Sequence, residues 1–243
     1  MFETRDIAHT SSVEMIDEGL RSHMIRVFNY MGLGLCVTAL AAYITANTSL
    51  LGLMYNIGNN TASLSGLGYL IVFAPLLMIF AFPAVIMRGS TFATQVMFWA
   101  FSAVMGMSLS NLLLAYTYGS IARVFLITAA IFGSMSLIGY TTKKDLTSIG
   151  SFLLMGVWGL IIASIVNIFM HSAPLMYVIS YISVAVFTGL TAYDVQRIKE
   201  VYYQIGSNGE MAQKAAVAGA LSLYIDFMNL FLSLMRLLGG ERR

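Results

Sequence analysis

Hydrophobic residues run in long blocks along this chain, and polar residues are collected in the short segments between the blocks. A transmembrane helix needs about 20 consecutive, mostly apolar residues. Seven blocks meet this requirement, at residues 25–46, 67–87, 95–117, 121–141, 149–170, 174–195 and 215–238. The pattern therefore predicts an all-α integral membrane protein with seven transmembrane helices.

The segments between the blocks carry turn-forming residues. Glycine and asparagine recur over residues 56–68, a Thr-Thr-Lys-Lys-Asp run covers 141–145, and Pro174 opens the sixth block. The gap between Val195 and Lys214 is predicted to be a partly helical loop. These boundaries divide the chain into a cytoplasmic amino-terminal tail, a transmembrane domain and a short polar tail, at residues 1–24, 25–238 and 239–243.

Composition and charge exclude several classes of protein. Only 10% of the residues are charged, whereas a soluble domain carries about 25%, and no residue between Arg26 and Arg88 is charged. The net charge of +2 is too small to indicate nucleic-acid binding. His and Cys residues lack the spacing of a metal site, and no nucleotide-binding motif is present. We therefore expect no catalytic residues, no metal and no cofactor, and hence a protein that is not an enzyme.

The Lys and Arg residues predict the orientation, because cytoplasmic loops are enriched in them. With the amino terminus in the cytoplasm, the inside segments hold nine of the 13 basic residues and the outside loops hold only Arg123. The three remaining residues, Arg236, Arg242 and Arg243, would lie outside and violate the rule. Either this tail is translocated, or the last helix does not fully cross; we favour seven full spans.

The last block carries a carboxylate near its middle. Asp226 lies about 15 Å from the start of the apolar run, at 1.5 Å per residue. An ionisable side chain at that depth is costly and normally faces a partner or a water-filled cavity. Polar neighbours that could support Asp226 on the same helix face are Ser222, Asn229 and Ser233. The alternative is a neutral aspartic acid that only joins helices.

A second carboxylate, Asp194, lies at the end of the sixth block, and Arg88 ends the second block on the same side of the membrane. Two close carboxylates cannot both ionise cheaply, so such a pair tends to hold a proton, whereas a nearby arginine favours the doubly ionised form. Alternatively, Asp194 and Arg88 are ordinary interfacial charges. By residue count Asp194 is shallow and Asp226 deep, so contact between them would need a cavity or a late entry of the last helix.

Residues 220–231, Ala-Leu-Ser-Leu-Tyr-Ile-Asp-Phe-Met-Asn-Leu-Phe, resemble the signature of the Bax inhibitor family of membrane proteins. Residues 143–146, Lys-Lys-Asp-Leu, and Tyr193-Asp194 resemble further parts of that pattern, and the short loops resemble the bacterial branch. The resemblance implies a central seventh helix wrapped by helices one to three and four to six, in the bacterial inner membrane. It also implies a calcium-permeable leak whose pH sensor is Asp194 with Asp226 and whose latch is Arg88.

The leading function is therefore a pH-sensitive leak that carries calcium ions through the lipid bilayer. A second candidate is a non-conducting regulator that binds a membrane protease or another membrane protein. A third, the intramembrane aspartyl protease, has two membrane aspartates that activate water. Tyr193-Asp194 resembles the first half of the protease motif, but residues 223–226 lack the glycines of the second half, which argues against a protease.

Overall fold

The computed structural model describes residues 3–58, 61–206 and 209–240, and helices make up most of these ranges. One antiparallel hairpin of two short strands interrupts the helices. In chain order the elements are α1 (Glu3–Asn47), α2 (Leu50–Met54), β1 (Tyr55–Gly58), β2 (Thr61–Leu64), α3 (Gly66–Arg88), α4 (Thr91–Ser108), α5 (Ser110–Ala115), α6 (Tyr118–Thr141), α7 (Thr147–Met170), α8 (Ala173–Ile205) and α9 (Gly209–Leu238).

Seven helical stretches of the described chain are long and apolar enough to cross a membrane, which confirms the predicted number of spans. The first is the part of α1 from Glu18 onward, and the third consists of α4 and α5 with a break at Leu109. The other five are α3, α6, α7, α8 and α9. The protein is therefore an all-α integral membrane protein.

The loop predicted between Val195 and Lys214 is wrong for most of its length. Helix α8 continues to Ile205, and α9 begins at Gly209. Residues 197, 199 and 200 of this segment are charged. In the structure, however, Val195, Ile198 and Tyr202 are all buried and recur at helical spacing on one face. One buried apolar stripe is enough to continue a helix whose other face carries charge.

At two other segments the structure adds detail that the sequence did not predict. The glycine- and asparagine-rich segment 56–68 contains most of the β1–β2 hairpin and the start of α3. Residues 3–24, expected as a tail, are already helical and continue into the first span. Of the expected polar tail, residues 241–243 lie outside the described residues.

Helix α9 is the most buried of the seven spans. In its most apolar stretch 67% of the residues are buried, against 6% in α7. It packs against α1, α4, α6 and α8. Tyr224 of α9 is fully buried, and its hydroxyl lies 2.6 Å from the Thr38 hydroxyl of α1. The core therefore lies around α9, while the complete wrapping implied by the family resemblance stays a prediction.

The bundle has two chemically different ends. We call one the basic end, because it holds Arg88, Lys143, Lys144, Lys199 and Lys214. Three hydrogen-bonded contacts join its turns: Thr91 N donates to Glu210 Oε1 (3.2 Å), Lys199 Nζ to Tyr140 O (3.0 Å) and Gln196 Nε2 to Lys144 O (2.8 Å).

At the opposite end the chain following α9 is bonded to the start of α6. Gly240 N donates to Ser120 Oγ at 2.7 Å, and Thr117 N donates to Gly240 O at 3.2 Å. Because α9 starts beside Thr91 at the basic end, it runs the whole length of the bundle.

Candidate functional site

Helices α8 and α9 bring Asp194 and Asp226 together, with their carboxyl groups close enough to interact. Asp226 is buried, only 4% exposed, and Asp194 is half-buried. Ser222, one turn before Asp226 on α9, lies beside the Asp194 carboxyl and lines the same cavity. The difference in depth expected from the sequence is reduced because α8 continues for 11 residues beyond Asp194, about 16 Å of helix.

The contact between the two carboxyl groups restricts their charge. Two carboxylates about 4 Å apart repel by roughly 4 kcal/mol at the effective dielectric of a protein. Within the described residues, Asp226 Oδ2 is enclosed and has no hydrogen-bond partner. The observed contact is therefore compatible with a proton held between the two groups, and loss of that proton would require a nearby cation.

Arg197, three residues after Asp194 on α8, is a positive charge that lines the same cavity and acts on the Asp194 carboxyl. The predicted latch, Arg88, is exposed at the end of α3. Among the described residues, one side-chain ion pair is found, between Lys214 and Glu210, and Arg88 takes no part in it. The structure thus places Arg197, which sequence reasoning passed over despite its spacing from Asp194, closer to the site; the latch role of Arg88 stays a prediction.

The polar residues predicted to support Asp226 divide into two groups. Ser222 contacts Asp194, as described above. Asn229 Nδ2 instead donates to Ile225 O at 2.9 Å, and Ser233 Oγ donates to Asn229 O at 2.7 Å. The structure therefore brings Ser222 to the carboxyl pair, whereas the donors of Asn229 and Ser233 are used within α9.

A cavity of about 160 Å³ lies beside the pair. Its polar lining residues are His23, Asp194, Arg197 and Ser222, and it is large enough for several water molecules. His23, on α1, is 5% exposed, and its ring lies 5.1 Å from that of Tyr202. Sequence spacing gave no sign that His23 belongs to this site, because its neighbours come from α8 and α9.

Glycines on three helices let these helices approach α8 closely near Asp194. An added Cβ would overlap α8 backbone or a ring at two of the positions and would crowd a side chain at the third. The glycines and the α8 residues they meet are Gly139 of α6 with Ala192, Gly150 of α7 with Tyr193, and Gly219 of α9 with Ile198. The segment that carries Asp194 is therefore held on three sides.

The turn between α6 and α7 is fixed to α8 just beyond Asp194. Gln196 Oε1 accepts from Leu146 N at 2.8 Å, and Gln196 Nε2 donates to Lys144 O at the same distance. Asp145, in the same turn, accepts a hydrogen bond from Thr147 N at 2.8 Å. Hydrogen bonds from Thr147 hold the pKa of the Asp145 carboxyl below its ordinary value. Gln196 is thus a positioning residue that the sequence did not reveal.

Seven membrane-spanning helices with a carboxyl pair between the last two define a class of integral membrane protein with an internal acidic site. The family profile described as "Inhibitor of apoptosis-promoting Bax1" matches residues 20–243 of this chain. The chain therefore belongs to the Bax inhibitor family, as the motifs around Asp226 and Asp194 predicted.

Bacterial proteins resemble the chain over nearly its full length. "Uncharacterized protein RP147" of Rickettsia prowazekii is 45% identical, with 98% of each chain covered. "Inner membrane protein YbhL" of Escherichia coli K12 is 40% identical, covering 92% of this chain and 94% of its own. "Uncharacterized membrane protein/M5005_Spy0301" of Streptococcus pyogenes is 34% identical, with 92% and 94% covered. These relatives agree with a membrane protein of the bacterial branch.

Proposed function

We propose that this protein is a pH-sensitive, calcium-permeable leak pathway of the bacterial inner membrane and that Asp194 and Asp226 are its proton sensor. The observation that carries the proposal is the contact between the two carboxyl groups beside a polar cavity. Membership of the Bax inhibitor family supports it. Carboxylate oxygens are also ligands that calcium prefers, so a deprotonated pair is suited to a passing calcium ion.

The direction of the pH response follows from the charges. At higher pH the pair loses its shared proton, and the two negative charges attract arginines of the basic end, including the latch Arg88. At lower pH the proton returns, the repulsion within the pair disappears, and the attraction for arginine weakens. Flux is therefore expected to rise as pH falls.

We also propose that the basic end faces the cytoplasm, so that the amino terminus lies there too. The enrichment of Lys and Arg in the turns of that end supports this orientation. Single cysteines at Lys143 and at His171, in a Cys36→Ser background, test it with a membrane-impermeant thiol reagent added to intact cells. Labelling at 171 and protection at 143 is the expected result, and the reverse pattern would invert the topology.

Calcium flux into dye-loaded proteoliposomes tests the proposed function. Purified protein should pass calcium without any partner, and the flux should rise as the pH is lowered through neutrality. Protein-free liposomes of the same composition give the background. If the folded, inserted protein passes no calcium at any pH, the non-conducting regulator that binds a membrane protease or another membrane protein becomes the better proposal.

A further inference from the structure

Two adjoining apolar cavities lie between α1 and α6, and α9 contributes to their floor. One, of about 710 Å³, lies toward the basic end, and the other, of about 390 Å³, lies toward the opposite end. Leu35, Phe125 and Phe227 line both cavities. The Phe125 and Phe227 ring centroids lie 5.3 Å apart, so this aromatic contact marks the boundary between the two cavities.

We propose that the larger cavity, which we call the α1–α6 groove, is a binding site for an anionic phospholipid. One acyl chain would lie along the apolar walls, and the phosphate would lie at the basic mouth near Arg21 and Lys199. This site is separate from the carboxyl pair and its cavity, and the proposal does not depend on the leak function.

The length of the groove fits an acyl chain. Along α1 the lining runs from Arg21 to Leu35, about 21 Å at 1.5 Å per residue. This length covers one leaflet, since half of the bilayer hydrocarbon is about 15 Å thick.

Each of the two walls of the groove contains a glycine, which has no side chain to fill the space. Gly32 on α1 and Gly133 on α6 both line it. A Cβ added at either position would meet no atom within 4 Å. The space is therefore open on both walls, and a larger side chain at either glycine would extend into it without first displacing protein.

Charge at the mouth selects the headgroup. Arg21 lines the groove at its basic end and is exposed. Tyr140 lines the same mouth, and Lys199 Nζ donates to its carbonyl oxygen and lies 5.6 Å from its ring centroid. Among the side chains that the structure describes, the groove lining contains no carboxylate, and the nearest acidic residue along α1 is Glu18, which is exposed one turn before Arg21. Two cations beside an apolar channel are complementary to a lipid with a phosphate and a net negative charge.

Native mass spectrometry of the purified protein tests the site, with phosphatidylglycerol and phosphatidylcholine of identical acyl chains as probes. Wild type should retain phosphatidylglycerol up to about 30-fold more than phosphatidylcholine, because each of the two cations beside a net negative headgroup supplies a factor of about five, whereas phosphatidylcholine is zwitterionic. Gly133→Trp, which fills the groove, should lose the retained lipid. Gly159→Trp is the matched control, because Gly159 of α7 also has open space around it but does not line the groove.

The headgroup contact is tested separately. Arg21→Gln should reduce the preference for phosphatidylglycerol about fivefold, whereas Lys143→Gln, which removes a charge from the same end outside the groove lining, should not. Equal retention of the two lipids by wild type would overturn the anionic assignment. Unchanged retention in Gly133→Trp would overturn the site itself, as would a co-purifying membrane polypeptide that Gly133→Trp displaces, since the groove would then hold a partner helix.

Discussion

Replacing Asp226 by asparagine removes one of the two carboxyl groups of the proposed sensor while keeping the shape of the side chain. The asparagine amide can donate to the Asp194 carboxyl that Asp226 contacts, so the buried position keeps a hydrogen bond. One proton coupled to the gate changes its equilibrium by at most about tenfold per pH unit, or about 1.4 kcal/mol. We expect wild-type flux to rise with a slope up to this limit as pH falls.

Because asparagine is neutral at every pH, Asp226→Asn mimics the protonated side chain. Its flux should stay near the acidic wild-type level and change by less than about twofold over the same range. The assay is calcium entry into dye-loaded proteoliposomes at pH values on both sides of neutrality. Gel filtration and thermal melting establish that the variant is folded.

Asp145→Asn is the matched control for Asp226→Asn. It makes the same chemical change at a carboxyl that lies in the turn between α6 and α7 at the basic end, so its pH profile should match that of wild type. Asp194→Asn should flatten the profile as Asp226→Asn does. If Asp226→Asn retains the wild-type slope, the carboxyl pair is structural and the proton sensor lies elsewhere.

Three further variants test the surroundings of the pair. Gly139→Ala should destabilise the protein by about 1–3 kcal/mol through overpacking against Ala192, seen as a lower melting temperature than that of Gly133→Ala, which has open space on the same helix; equal melting would contradict the close packing. Gln196→Ala should cost about 1–3 kcal/mol by leaving backbone groups of the α6–α7 turn without partners, and unchanged amide exchange in that turn would argue against this role. Arg88→Ala should raise basal flux at neutral pH if Arg88 is the latch, and unchanged flux in folded protein would reject the latch.

The sequence predicted those features that depend on local composition. Long uncharged blocks were sufficient for the number of spans, and a carboxylate in the middle of an apolar block was sufficient to mark Asp226. The end of α8 was not predicted, because residues 195–214 were interpreted as a partly helical loop, whereas a buried apolar stripe continues the helix to Ile205. That error also made Asp194 look too shallow to reach Asp226.

Other features of the site depend on which helices pack together, and a single sequence does not state this. His23 joins the cavity from α1, about 170 residues before Asp194 along the chain. The sequence does not distinguish Gln196 from other polar residues. Its role follows only from its hydrogen bonds to Leu146 and Lys144. Arg197 was recognisable from its spacing to Asp194, but only once that segment was known to be helical.

The glycine contacts around α8 affect how mutational data on this protein should be read. A saturation mutagenesis screen for loss of pH-dependent flux should identify Gly139, Gly150 and Gly219 together with the two aspartates, although glycine has no titratable side chain. Substitutions at these glycines displace the helix that carries Asp194 instead of changing the chemistry of the carboxyl pair. A second screen for the amount of folded protein in the membrane would separate the two groups, since glycine substitutions should lower it and aspartate-to-asparagine substitutions should not.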